Sequence, residues 1–259
     1  MRSAACGIRP GSLPLRARRA PHGGMTSNSA LDRLGRAIRD GSMSPDQVTL
    51  LAELRTQWRE ERMWWEHAAR QACTHSGVTV TGRVKNLGTL REKLHRMDGE
   101  LSTIRDVVGI RVVVHGGRFE QLWALADVAG VARDHSMKVI DRIGDPRAGY
   151  RALHLEVRRN GVRAEVQVRS QLQHDWAEAM ERFADKAGRD VRYVEDYDFP
   201  LLSGEAREAA IQCRRHLRMW ASEINMFERN GSPESWRSSV DYLGRLTQSM
   251  LEEFDGQVL

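Results

Sequence analysis

The spacing of apolar and polar positions divides most of the chain into helices, strands and turns. Leu31, Leu34 and Ile38 share one face of a short helix over 28–40, which Gly41 stops. Ser44 followed by Pro45 is a cap and a proline at the first helical position. It predicts a longer helix carrying Leu51, Leu54 and Trp58 to about residue 72. Trp64 and Trp65 add bulk near its end and read as packing. A basic, partly apolar helix is expected over 85–97. Residues 107–114 are β-branched and apolar, broken by Gly109 and Arg111, which predicts a buried strand. A helix over 118–130 has Phe119, Leu122, Leu125 and Ala126 as its apolar residues, and 137–143 is the next strand candidate.

Residues 152–169 carry the sharpest local pattern. Leu153, Leu155 and Val157 alternate with His154, Glu156 and Arg158. Asn160-Gly161 is a two-residue hairpin turn, and Val162, Ala164, Val166 and Val168 alternate with Arg163, Glu165, Gln167 and Arg169 on the return. One face is apolar and the other polar. The turn fixes the register, placing His154 opposite Gln167 and Glu156 opposite Glu165. Two carboxylates facing across strands repel, and a bound cation would relieve them. A plain surface hairpin, with register slipped by a bulge, is the alternative.

Helices follow to the C-terminus. Leu172, Trp176, Met180 and Phe183 mark the inward side of 171–187. Ala206, Ala210, Cys213, Leu217, Trp220, Ile224 and Phe227 form a heptad-like seam over 205–229. That seam suits packing within the chain, a homo-oligomer or a partner protein. Gly231-Ser-Pro233 breaks it, and a last helix carries Trp236, Val240, Leu243 and Phe254. The organisation expected is a disordered basic tail over 1–27, N-terminal helices over 28–78, a catalytic core over 79–195 and a helical extension over 196–259.

Composition narrows the class. The 259 residues are 41% hydrophobic and 29% charged, and no apolar run approaches the roughly 18 needed for a membrane-spanning helix. Arg and Lys exceed Asp and Glu, 40 to 35, which suits a polyanionic partner or an Arg-rich solvated surface. Cys6, Cys73 and Cys213 are far apart, which disfavours a cysteine zinc site and suits a cytoplasmic location. The tail reads either as a basic RNA-binding arm or as residues ahead of a start at Met25.

Three segments carry candidate chemistry. Arg83-Val-Lys85, with Lys93 and Arg96, makes a cationic comb suited to a polyphosphate, or an ordinary basic helix face. Asp106 enters a buried strand that also bears Arg111, which reads as a magnesium carboxylate or as a structural Asp–Arg pair. Gly149-Tyr150-Arg151-Ala-Leu-His154 offers a tight turn and a stacking ring, and Glu165 projects from the polar hairpin face.

The ordered set Arg-x-Lys, Asp-x-x-Gly-x-Arg, Gly-Tyr-Arg-x-x-His, Glu-x-Gln-x-Arg and Gln-x-x-Trp-Ala resembles the synthetase domain of RelA/SpoT proteins over roughly residues 80–190. The resemblance implies an α/β (α+β) fold, a nucleotidyltransferase-like mixed β-sheet flanked by helices. It implies transfer of pyrophosphate from ATP to a ribose 3′-hydroxyl with Mg2+. Arg83, Lys85, Lys93, Arg96 and Arg111 match positions that bind ATP. Asp106 and Glu165 match the magnesium carboxylates, and Glu165 also matches the base that activates the acceptor. Tyr150 matches the tyrosine that stacks on the acceptor base; Arg151, His154, Gln167 and Arg169 match the surrounding wall.

Small departures are Thr89 near a usual Ser, Ala152 for Ser, and Ser170 for Thr. The short span from Tyr150 to Glu165 and the Leu172-to-Ala179 segment are similar to toxic small alarmone synthetases of toxin–antitoxin and phage-defence loci. Some of those act on the tRNA 3′-CCA end. The acceptor expected is therefore that end or GDP/GTP, with an antitoxin as a further expected partner. A nucleotide- or RNA-binding module without catalysis is the non-enzymatic reading.

Overall fold

The computed structural model describes residues 26–74, 77–194, 196–230 and 234–258. The tail expected over 1–27, Cys6 and the Gly231-Ser-Pro233 break therefore fall almost wholly outside the described residues, as does the Trp236 side chain.

Helix α1 (Asn28–Asp40) starts on Ser27, whose hydroxyl accepts from the Ala30 amide, and ends on Gly41 at φ 70°. Helix α2 (Pro45–Ala72) opens with a reciprocal capping box between Ser44 and Gln47. Both helices form where the sequence placed them. Trp58 and Trp65 are buried, and Trp64 meets Trp65 edge-on at 4.8 Å, so these rings are packing.

Strand β1 (Val78–Val84) lies in a stretch for which no strand was expected, although Val78-Thr-Val80-Thr alternates. Helix α3 (Leu87–Arg96) begins later than expected, because the Asn86 side chain accepts from the Thr89 amide at 2.8 Å and caps it. Lys85 therefore precedes the helix, and Arg83 stands on β1; the comb is not one helix face. A single 3₁₀ turn (Leu101–Thr103) leads to strand β2 (Val108–Val114).

Helix α4 (Arg118–Ala132) corrects the expected apolar face. Gln121, Ala124, Val128 and Ala132 are buried, whereas Phe119 is 75% exposed and Leu122 40%. Small residues let the helix lie close to the sheet. Gln121 is tolerated inside because its amide donates to the Val168 carbonyl and the Gln173 side chain, each at 2.9 Å.

Strands β3 (Ser136–Asp141), β4 (Leu153–Arg159) and β5 (Val162–Ser170) complete one five-stranded sheet of order β1-β2-β5-β4-β3. Only the β2–β5 pair is parallel, so the sheet is mixed. The hairpin register is the one the turn dictates: His154 faces Gln167 and Glu156 faces Glu165. Val80, Ile110, Leu155 and Val166 point to one side, into a core closed by α2 and α4. Residues of opposite parity, Arg83, Arg111, His154, Glu165 and Gln167, share the other side.

Helix α5 (Gln171–Ala187) leaves β5 directly, capped by the Ser170 hydroxyl. It packs with α6 (Gly204–Asn230) and α7 (Glu234–Gln257) around a second core that includes Trp176, Phe183, Leu217, Trp220 and Phe254. The heptad-like seam thus packs within the chain. No helix among the described residues is long and apolar enough to cross a membrane.

Candidate active site

The pocket on the polar face is built by β1, β2 and β5 and the loop entering β2. Thr81 and Arg83 from β1, Gly109 and Arg111 from β2, Glu165 and Gln167 from β5, and Asp106 line one pocket. Arg83 lies across Gly109, where a Cβ would meet its Cγ at 3.6 Å and its Nε at 3.8 Å, in ordinary contact.

Asp106 is held between two ammonium groups. Lys93 Nζ lies 2.7 Å from Oδ1 and Lys85 Nζ 3.0 Å from Oδ2. Lys85 reaches it because its own amide donates to the Val107 carbonyl, which sets that residue beside the carboxylate. Burial works to raise the Asp106 carboxyl, but the two lysines outweigh it and hold the group below its ordinary range. The Asp106–Arg111 pair that the sequence allowed does not form; Arg111 Nη1 donates instead to Glu178 Oε1 on α5 at 2.6 Å.

Glu165 sits in a second network. His154 Nδ1 lies 2.9 Å from Oε1 and Gln167 Nε2 donates to Oε2 at 2.7 Å. The Tyr150 hydroxyl lies 2.8 Å from His154 Nε2, and Arg169 Nη2 donates to that hydroxyl at 2.9 Å and to Gln167 Oε1 at 2.7 Å. One set of directions is consistent along the chain of bonds: Arg169 Nη2 to Tyr150, Tyr150 to His154, and His154 Nδ1–H to Glu165. Burial pushes the Glu165 carboxyl upward, and the nearby Asp106 charge adds to that, yet His154 and Gln167 bring it below its usual range. Burial raises the Tyr150 phenol against the pull of Arg169.

The facing carboxylates do not need a cation between them. Arg105 Nη1 reaches both oxygens of Glu156 at 2.8 and 2.9 Å, while Glu165 turns to His154. Arg105 and Glu178 are partners that sequence reasoning missed; Arg105 stands next to Asp106, and Glu178 follows Gln171-x-x-His174 by one helical turn.

Other expected residues lie apart. Arg96 sits over the Tyr193 ring, with its guanidinium carbon 5.2 Å from the centroid. Arg151 turns away from Glu165 and donates from Nη1 to the carbonyls of Ala221, at 2.9 Å, and Gly149, at 3.2 Å. The structure therefore groups Asp106 with Lys85 and Lys93, and Glu165 with His154, Gln167, Arg169 and Tyr150, around a pocket that Arg83 and Arg111 share.

A mixed five-stranded sheet flanked by helices, with this polar face, is the architecture that carries the site. Residues 82–187 match the model of the region found in RelA/SpoT proteins. The chain is 34% identical over 178 residues to uncharacterized proteins of Mycobacterium tuberculosis and Mycobacterium bovis. The match covers 65% of this chain and spans 63% of the length of those curated relatives. The fold is similar to small alarmone synthetase 1 of Bacillus subtilis, solved with its product pppGpp, at 18% identity and a TM-score of 0.53 over 76% of this chain and 100% of that one. It also matches a GTP pyrophosphokinase family protein of Streptococcus pneumoniae, at 19% identity and a TM-score of 0.49 over 78% of this chain and 98% of that one.

Proposed function

We propose that this chain is an ATP-dependent pyrophosphokinase that moves the β,γ-pyrophosphate of ATP to a ribose 3′-hydroxyl and releases AMP. One observation carries the reading: Asp106 and Glu165 line a single pocket with Arg83 and Arg111, flanked by Lys85 and Lys93. Two carboxylates amid that many cations suit a polyphosphate and its counter-ion.

The donor triphosphate lies against Arg83, Lys85, Lys93 and Arg111. Lys85 and Lys93 now neutralise Asp106, and they are free to turn to phosphate oxygens as these arrive. Asp106 and Glu165 are hard oxygen donors that fit magnesium; among the described residues no group of three His, Cys, Asp or Glu side chains converges, so phosphate and water oxygens would complete its shell. Magnesium, when bound, supplies charge neutralisation on the polyphosphate.

The acceptor base lies on Tyr150, walled by His154, Gln167 and Arg169. The 3′-oxygen bonds to the β-phosphorus, the bond from that phosphorus to the α,β-bridging oxygen breaks, and AMP leaves with the electron pair. The hydroxyl proton goes to Glu165, which His154 and Gln167 hold ionised and oriented. Positioning and charge supply most of the acceleration.

For the acceptor, the net charge of +5 and the short hairpin favour the tRNA 3′-CCA end, and hence a growth-inhibiting toxin with a neutralising protein partner. GDP or GTP is the second reading, supported by the fold it shares with a synthetase that holds pppGpp. The test is ATP labelled in the γ-phosphate, offered with GDP, GTP or deacylated tRNA. Label in one of these names the acceptor; label in none of them, with ATP intact, overturns the reading.

A further inference from the structure

A second cleft opens on the far side of the Tyr150 segment, between that turn and α6. It is lined by Ala148, Gly149, Arg151, Arg218, Ala221 and Ser222. Two of the six carry guanidinium groups and none carries a carboxylate. Its volume of about 220 Å³ is below the roughly 300–1,000 Å³ of a cleft that encloses a whole drug-sized ligand. It suits a small anion better than a nucleotide.

The cleft is built rather than incidental. Ala148 and Gly149 both take left-handed backbone, at φ 47° and 90°, and the turn closes through Tyr150 N to Arg147 O at 2.8 Å. A Cβ at Gly149 would meet Trp176 Cζ2 at 2.9 Å and Ala221 Cβ at 3.2 Å, so the turn is pressed onto α5 and α6. Arg218, Ala221 and Ser222 fall on one face of α6. Arg151 is pinned across that face by its bond to the Ala221 carbonyl, yet its Nε is buried with no hydrogen-bond partner. A buried guanidinium N–H left unpaired is costly, and an anion in the cleft would satisfy it.

We propose that this cleft is a phosphate site, with Arg151 and Arg218 as its cations and Ser222 as a hydroxyl donor. Gly149 and Arg151 are the immediate neighbours of Tyr150, about 3.8 Å along the chain on either side. A nucleotide whose base lies on Tyr150 therefore has a phosphate within reach of the cleft. On the transferase reading given above, which this placement rests on, the cleft takes a phosphate of the acceptor. That phosphate belongs to a free nucleotide or to a polynucleotide backbone; the chemistry is common to both.

The test begins with the full chain and inorganic phosphate, without turnover. Arginine Nε–Hε resonances are followed at constant ionic strength, with chloride as the control. The Arg151 resonance should shift saturably with phosphate and not with chloride, and the shift should vanish in Arg218→Ala. No shift, or an equal shift with chloride, overturns the site. Turnover then places it. Arg218→Ala should raise the acceptor KM about tenfold, the loss expected of one charge-assisted hydrogen bond, with kcat and the ATP KM unchanged. For a nucleotide acceptor, the wild-type preference for GDP over guanosine should shrink in the variant. For tRNA, the salt slope of binding should fall by about one. An unchanged acceptor KM removes the acceptor from the cleft. Phosphate binding in a chain that transfers nothing leaves the cleft standing and removes the transferase.

Discussion

His154 Nδ1 and Glu165 Oε1 lie 2.9 Å apart on adjacent strands, and this contact keeps a buried carboxyl ionised. Burial alone would push Glu165 up. The sign for catalysis follows. A base must be deprotonated to act, so activity should fall only as pH drops below the ordinary Glu range of about 4.3. Removing the imidazole by His154→Ala leaves burial and the Asp106 charge, and the acid limb of the kcat/KM profile should move to higher pH. Glu165→Gln should lower kcat by about 10²–10⁴-fold in a chain that still folds. An acid limb that stays put in His154→Ala would sink the pairing.

Asp106 presents a different balance. Its carboxyl lies below the ordinary range, so its stabilising effect is full above the unfolded value and is lost as pH falls through the folded one. Asp106→Asn leaves Lys85 and Lys93 without their shared counter-charge. It should lower stability by about 1–3 kcal/mol at neutral pH, with the difference vanishing in acid. Inorganic triphosphate should restore the melting temperature of this variant more than that of the wild type, because it supplies the missing anion.

Arg105 is half exposed, so its ion pair with Glu156 has modest intrinsic value. Its larger effect is to keep Glu156 from facing Glu165 as a bare charge. In denaturant unfolding, Arg105→Ala should cost less than about 1 kcal/mol, and adding Glu156→Gln should recover most of it. Additive losses would show that Arg105 acts elsewhere.

Glu228 on α6 is raised by burial, although Ser170 and Gln173 donate to it. A carboxyl raised on folding contributes fully below its unfolded value and loses that contribution as pH climbs through the folded one. Glu228→Gln should therefore stabilise the chain at pH 8, by about 1 kcal/mol or roughly 2–4 °C, and not at pH 4. Thermal melts at the two values decide it.

Much of the scaffold was legible because local chemistry dictates it. Ser44-Pro45 fixed the start of α2, and Asn160-Gly161 fixed a register that put His154 and Glu165 on one face. What was not legible depends on distant neighbours. The α4 segment has apolar residues on several sides, and only the approach of the sheet chooses Ala124 and Val128 over Phe119. Lys85 was misplaced by one short-range signal, the Asn86 cap, yet its meeting with Asp106 comes from β1 lying beside β2. Arg151 reads in sequence as part of the acceptor wall, and its bond to Ala221 is visible only once α6 is docked.

The press of Gly149 against Trp176 and Ala221 has a dynamic consequence. The Tyr150 wall hangs on the second core, whereas Asp106, Lys85 and Arg83 hang on the first. A sub-global opening of α6 and α7 would release the turn while the sheet stayed protected from hydrogen exchange. The chain would then still hold the donor cations in place with its acceptor wall undone, so whatever steadies the last two helices sets how often both halves are assembled at once.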